Sequence, residues 1–234
     1  MNRLLTAILS AIILCSCHSI TGSGNIVTQT RNLNQFEGVK TSGSIDIEVM
    51  NDERQFVKIE ADDNIVPYII TKVEDGMLDV HLKSRLMYHN INAKVYVSAP
   101  SLTRLIVSGS GSTISKGTLT DADKIEIKVS GSGGIDANID APSIVADVSG
   151  SGTINLRGRT KDFNSSISGS GDIKCNKLLS ENTTVSVTGS GTAHVFASVH
   201  LLAKVTGSGD IYYSGNPPSP EIRKTGSGSV KSEN

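Results

Sequence analysis

Apolar residues recur two apart over most of this chain, with polar residues between them, and the alternation restarts after each copy of one tripeptide. Gly-Ser-Gly has its first glycine at Gly109, Gly131, Gly150, Gly169, Gly189, Gly207 and Gly226, at intervals of 22, 19, 19, 20, 18 and 19 residues. Two residues before that glycine stand Val107, Val129, Val148, Ile167, Val187, Val205 and Lys224. Four before it stand Leu105, Ile127, Ala146, Ser165, Val185, Ala203 and Ile222, and four after it Thr113, Ile135, Ile154, Ile173, Ala193, Ile211 and Val230. A period of two is strand periodicity. Each unit is therefore strand, sharp bend, strand, and no stretch carries a helical period.

Units this short cannot bury an apolar face alone, but stacked coils share one column of Val and Ile. The expected fold is all-β: a right-handed parallel β-helix with coils of about 19 residues, neighbouring coils lying roughly 4.8 Å apart. The alternative is an antiparallel sandwich or meander, which also turns every 8–12 residues. The recurrence of one residue type in one slot favours the solenoid. Glycine suits a bend that needs positive φ or close backbone approach. The hydroxyls between and before the glycines should stack into ladders and bond along the axis or to bend carbonyls. A phosphate loop is excluded because no helix follows the glycines. A calcium roll is excluded because only Asp172 and Asp210 occupy the slot it would need. A flat hydroxyl array that orders water is geometrically possible.

Residues 35–104 carry longer alternating runs: Ile45, Ile47, Val49; Val57, Ile59, Ala61; and Ile91, Ala93, Val95, Val97. Asp75-Gly76 predicts a hairpin between Ile69–Glu74 and Met77–Leu82. Ser42-Gly43-Ser44 is a degenerate copy of the tripeptide, and Gly22-Ser23-Gly24 an outlying one. Ala99-Pro100-Ser101 recurs as Ala141-Pro142-Ser143, which argues for one continuous structure. Pro217-Pro218-Ser219-Pro220 and the intruding Lys224 predict a non-pairing cap and tail over residues 217–234.

The N-terminus is a different kind of segment. Arg3 precedes an apolar run over residues 4–14, too short to span a bilayer and suited to a signal peptide. It ends Leu14-Cys15-Ser16-Cys17, which resembles a bacterial lipobox. The resemblance implies cleavage before Cys17 and lipidation of its thiol. The expected organisation is a signal peptide over 1–16, a lipidated tether over 17–34 with one strand at Asn25–Thr28, one domain over 35–230 and a tail over 231–234. Cys175 would then be the single mature thiol, unable to form an internal disulfide and expected to pack as a small hydrophobe.

Composition narrows the function classes. Twenty-two Lys and Arg against 23 Asp and Glu leave a net charge of −1, which excludes the basic face that nucleic acid needs. Aromatics are 4% of the chain, so stacking platforms have little material. The five histidines (His18, His81, His89, His194, His200) are scattered, and the His194/His200 spacing is no more than a weak metal hint. Asp62-Asp63 should open a turn before Asn64, and of Tyr212 and Tyr213 one should face inward. No catalytic, cofactor-binding or metal-ligating set emerges. A polysaccharide-acting enzyme would need carboxylates clustered across coils, whereas the recurring slots hold Ser, Thr and Gly.

The combination Phe36-Glu37-Gly38-Val39, Ser44-Ile45-Asp46-Ile47, Val57 to Ile65, Asp75-Gly76-Met77-Leu78 and the Gly-Ser-Gly-x-Ile repeats resembles the family "putative auto-transporter adhesin, head GIN domain". The resemblance spans about residues 35–230 and implies a right-handed β-helix and a Bacteroidota-type envelope lipoprotein. It also implies adhesion, with no active-site residues to carry over. The functional expectation is a non-enzymatic module, anchored to the outer membrane through Cys17, that presents a repetitive face to a glycan or protein ligand. The alternative is a periplasm-facing structural or assembly component, and a distant third is a β-helical polysaccharide-acting enzyme. The residues after Cys17 (His18, Ser19, Ile20, Thr21) include no acid, so the side of the membrane stays open.

Overall fold

The structure is a computed structural model describing residues 19–233; Cys17 and the expected signal peptide lie outside the described residues. The fold is a parallel β-solenoid of about six turns with coils of about 20 residues. Its one helical element among the described residues is the 3-10 turn Val66–Tyr68. Strands Arg104–Gly109, Lys124–Gly131 and Ser143–Gly150 lie side by side in parallel. The column continues through the second halves of Thr153–Gly169 and Asp172–Gly189 to His200–Gly207 and Glu221–Gly226. In every step corner glycine pairs with corner glycine. Beyond the bend a second parallel run starts from Ser112–Thr120 and Gly134–Asp140 and ends with Thr192–Phe196, Asp210–Ser214 and Ser229–Ser232.

The degenerate tripeptide opens the stack. Gly38–Gly43 pairs in parallel with Arg104–Gly109, setting Ser42 against Ser108 and Gly43 against Gly109, while Asp46–Asn51 pairs with Ser112–Thr120. Residues 52–103 are thus an insertion between the first two coils. The insertion folds back over the N-terminal end. Met77–Leu82 continues the first column in parallel and pairs antiparallel with Ile69–Glu74 across the expected Asp75-Gly76 hairpin, both turn residues having positive φ. Ala93–Ala99 continues the second column and pairs antiparallel with Phe56–Asp62, which in turn carries Ile26–Arg31. Antiparallel pairing is therefore confined to this end, and the meander alternative does not describe the repeats.

The core is the set of inward columns. Val107, Val129, Val148, Ile167, Val187 and Val205 are each no more than 2% exposed, as are Ile135, Ile154, Ile173 and Ile211. Burying each such side chain is worth about 1.5–3 kcal/mol. Phe163 is the largest fully buried side chain. Ser165 stands in an inward slot between Ala146 and Val185, and its hydroxyl is buried without a hydrogen-bond partner.

The corners are satisfied by the backbone, which differs from the expected hydroxyl ladders. The Gly109 carbonyl accepts the amides of Ser132 and Gly133 at 2.9 and 2.8 Å, and that of Gly189 accepts Ser208 and Gly209, each at 2.9 Å. Each coil so closes on the coil before it without side chains. The first glycine has φ from 111° to 128° at Gly109, Gly131, Gly169, Gly189, Gly207 and Gly226 and 110° at Gly150. A Cβ on Gly150 would also lie 2.7 Å from the Gly131 carbonyl oxygen. The second glycine is excluded from substitution for another reason. A Cβ on Gly152 would lie 2.4 Å from a methyl of Val129 and 2.5 Å from the Gly133 oxygen. The middle serine points away from both contacts.

Two boundaries differ from the sequence expectation. The segment expected as a tether is paired from Ser19 on: Ser19–Thr21 runs parallel to Met87–His89, and the one strand expected there, over Asn25–Thr28, is present as the outer antiparallel strand Ile26–Arg31. Nor do residues 217–234 form a non-pairing cap. After the prolines Glu221–Gly226 and Ser229–Ser232 complete one more coil, and the stack ends on that exposed coil, with Lys224 in the slot that Val205 fills below it. An inward-slot lysine on an edge strand discourages further strand pairing.

Gly150→Ala should cost about 1–3 kcal/mol from backbone conformation alone, and the contact with Gly131 adds to it. Ser151→Ala should stay within about 0.5 kcal/mol of the parent; urea unfolding of both variants checks the pair. Ser165→Ala removes a buried unpaired hydroxyl and should stabilise by about 1 kcal/mol in the same measurement.

Candidate functional site

Side chains that leave the stack outward form continuous columns, because parallel in-register pairing puts residues of equal slot on one line. Just before the corner the line reads Ser42, Ser108, Ser130, Ser149, Ser168, Thr188, Thr206, Thr225. All are exposed from Ser130 onward. The middle serines (Ser44, Ser110, Ser132, Ser151, Ser170, Ser190, Ser208, Ser227) form a second exposed line beside it. Among the described residues, no hydroxyl of either line is hydrogen-bonded within the protein. With coils about 4.8 Å apart, the corner is a ridge of evenly spaced free donors and acceptors.

The face beyond the corner is chemically mixed. Its central line runs Tyr96, Glu48, Ile114, Asp136, Asn155, Lys174, His194, Tyr212, Lys231. Charges are matched locally: Arg157 bonds both oxygens of Asp136 at 2.8 and 2.9 Å, and Lys94 reaches Glu48 at 3.0 Å. Lys58 and Lys94 sit over the Tyr96 ring at 4.4 and 4.9 Å. His194 stacks on Tyr212 with ring centres 4.9 Å apart, and its Nδ1 lies 3.1 Å from Glu233. Exposed pairs of this kind are individually weak.

Comparison with known proteins returns one family and a shared fold. The family model described as "Putative auto-transporter adhesin, head GIN domain" matches residues 35–217. The chain belongs to this family. Its fold is shared with the crystal structure of a protein described as a putative adhesin from Bacteroides fragilis, at TM-score 0.87 and 24% identity over 91% of this chain and 99% of that one. A putative lipid binding protein from Parabacteroides distasonis matches at TM-score 0.77 and 25% identity, over 92% of this chain and 100% of that one. A putative adhesin from the same organism matches at 0.72 and 27%, over 92% and 99%. The search of curated proteins finds no match.

Among the described residues no three His, Cys, Asp or Glu side chains converge as metal ligands. His194 and His200 are not brought together: His194 is flanked by Lys174 and Tyr212, and His200 pairs with Asn182. One hydroxyl, imidazole and carboxylate are neighbours, since Ser42 pairs with His81 and His81 Nδ1 lies 3.5 Å from Asp79. No hydrogen bond joins His81 to Ser42. Cys175 is buried, and desolvation pushes its thiol up to about 12, the behaviour of a packed hydrophobe. A depression of about 530 Å³ at the N-terminal end is bordered by Phe36, Glu37, Gln55 and Pro100. Cys17, the expected lipidation site, lies outside the described residues.

Sequence reasoning missed what Asp62 and Asp63 hold. Asp62 does open a turn, its carbonyl accepting the Ile65 amide at 2.8 Å. Its enclosed carboxylate also accepts the amides of Gly24 at 2.8 Å and Asn92 at 2.7 Å. Asp63 accepts from the Ser23 hydroxyl at 2.6 Å and the Asn25 amide group at 2.9 Å. The outlying Gly22-Ser23-Gly24 is thus not a coil corner but a loop clamped by two carboxylates. A Cβ on Gly22 would lie 2.3 Å from Asp62 Oδ2. The pairing of Gly-Ser-Gly with a distant Asp-Asp was the available signal, and it has no spacing to read.

The Asn92 amide, then that of Gly24, hold the Asp62 carboxyl below its ordinary 3.8, and the Ser23 hydroxyl does the same for Asp63. A depressed folded-state value means that the clamp contributes fully above the unfolded value and is lost as pH falls through the folded one. Protection of the Gly24 and Asn92 amides, corrected for intrinsic exchange, should hold from about pH 7 to about pH 5 and drop below the ordinary aspartate range. In Asp62→Ala it should already be low at neutral pH.

Proposed function

We propose that this head GIN domain is a lipid-anchored, non-enzymatic binding module of the bacterial outer membrane. In this reading it uses the hydroxyl ridge as an adhesive surface for a glycan or a protein. The observation that carries the reading is the pair of exposed, unbonded hydroxyl lines, repeated coil after coil. Hydroxyls already engaged with the backbone would have had a structural reason to be there; these have none. A polymer with its own repeated hydroxyl or amide groups can bond to several coils at once, so weak contacts add along the rod. The family description and the adhesin names of its structural relatives support the same reading.

The second reading is a periplasm-facing structural component, favoured by the absence of acidic residues in His18-Ser19-Ile20-Thr21. Protease shaving of intact cells carrying an epitope-tagged chain separates the two, with a periplasmic lipoprotein as control. Loss of the tag while the control survives is the expected result. A glycan array should then give signals that fall at least tenfold when Ser149, Ser168 and Thr188 are replaced together by Lys. Protection of the tag until the outer membrane is opened would overturn the adhesive reading in favour of an internal envelope role.

A further inference from the structure

The chain leaves its described part at a defined surface. Ser19–Thr21 pairs with Met87–His89, setting Ser19 beside Met87, Ile20 beside Tyr88 and Thr21 beside His89. Both strands show the same alternation: Ile20 and Tyr88 turn to the body, while Ser19, Thr21, Met87 and His89 face out. Met87 is 47% exposed, one of the more exposed large apolar side chains of the fold. The loop before it exposes Lys83 and Arg85, and residues 83–90 contain no acid. The Tyr88 hydroxyl donates to the Lys83 carbonyl at 2.9 Å, so loop and strand are one unit.

The strand cannot peel away from this surface easily. The Gly22 amide donates to the His89 carbonyl at 3.1 Å, and the Asn64 side chain donates to the Thr21 carbonyl at 2.8 Å. The Asp62 and Asp63 carboxylates then hold the next residues. Only His18 separates Cys17 from Ser19, and two residues span at most about 7 Å. A lipid on Cys17 would therefore have no spacer. Acyl chains inserted in the bilayer would draw whatever surrounds Ser19 into the headgroup layer.

We propose that the outer face of Ser19–Thr21 and Met87–His89, with the loop carrying Lys83 and Arg85, rests on the phospholipid surface beneath the anchor. Met87 would enter the interfacial layer, and the two cations would meet lipid phosphates. This rests on lipidation of Cys17, which belongs to the reading above. It makes the insertion end of the solenoid membrane-proximal and leaves the Glu221–Ser232 coil at the far end.

The test uses the full-length lipidated protein in vesicles of phosphatidylethanolamine and phosphatidylglycerol. Met87→Cys and, at the far end, Ser227→Cys each receive an environment-sensitive fluorophore. Cys175 is buried with its thiol pushed up to about 12, so the introduced thiol takes the label. Nitroxide-bearing lipids should quench the probe at residue 87 at least threefold more than that at 227. Twelve Gly-Ser residues inserted between His18 and Ser19 should remove most of the difference. Equal quenching at the two positions, in protein whose mass includes the lipid and which floats with the vesicles, overturns the docking and leaves the anchor intact. A mass without lipid on Cys17 overturns the anchor and the docking together.

Discussion

The fold depends on one repeated contact, the carbonyl oxygen of a corner glycine accepting amides from the corner of the next coil. Strand spacing brings successive corners to about 4.8 Å, which leaves room for hydrogen bonds between backbones and for no Cβ. From this follow both glycines of the tripeptide, the first for its positive φ and the second for the methyl of the valine packed behind it. The serine between them is outside the contact. The Val or Ile two residues before the corner follows too, since its branched methyl fills the space that the second glycine of a later coil leaves open.

A stack built in this way has two ends, and the chain treats them differently. At the N-terminal end the insertion over residues 52–103 crosses over to antiparallel pairing, and Ile26–Arg31 closes it. At the C-terminal end pairing continues past the prolines and stops at a coil whose strand is exposed throughout. There Lys224 takes an apolar slot, with Glu221 and Arg223 ion-paired beside it. One end is covered by antiparallel strands and the other is guarded by charge. Both meet the requirement that a strand edge should not recruit another chain.

The same stacking divides the surface by chemistry. Because each outward slot repeats every coil, a slot that accepts only hydroxyls becomes a ridge, and a slot that varies becomes a face of matched charges. The ridge is uniform and internally unbonded, whereas the mixed face spends its groups on each other, as in the Arg157–Asp136 pair and the His194–Tyr212 stack. In the proposed reading, binding capacity resides where the repeat is most regular, carried by geometry rather than by any single reactive residue.

The sequence by itself determined the repeating unit, because period-two alternation and glycine at a fixed interval are local features that survive in one dimension. It determined the Asp75-Gly76 hairpin for the same reason, a two-residue turn being decided by its own residues. It also held the inward burial of Cys175 and of the Val and Ile columns. Only the tertiary structure decided that Ser42-Gly43-Ser44 is the first corner, since its partner at Gly109 lies beyond a long insertion. Only the tertiary structure decided that the ridge hydroxyls are free, because the backbone of the neighbouring coil satisfies the corner first. The docking of residues 19–25 belongs to the same class: Asp62 and Asp63 meet Ser23 and Gly24 through contacts spanning the insertion, and such contacts leave no period in the chain.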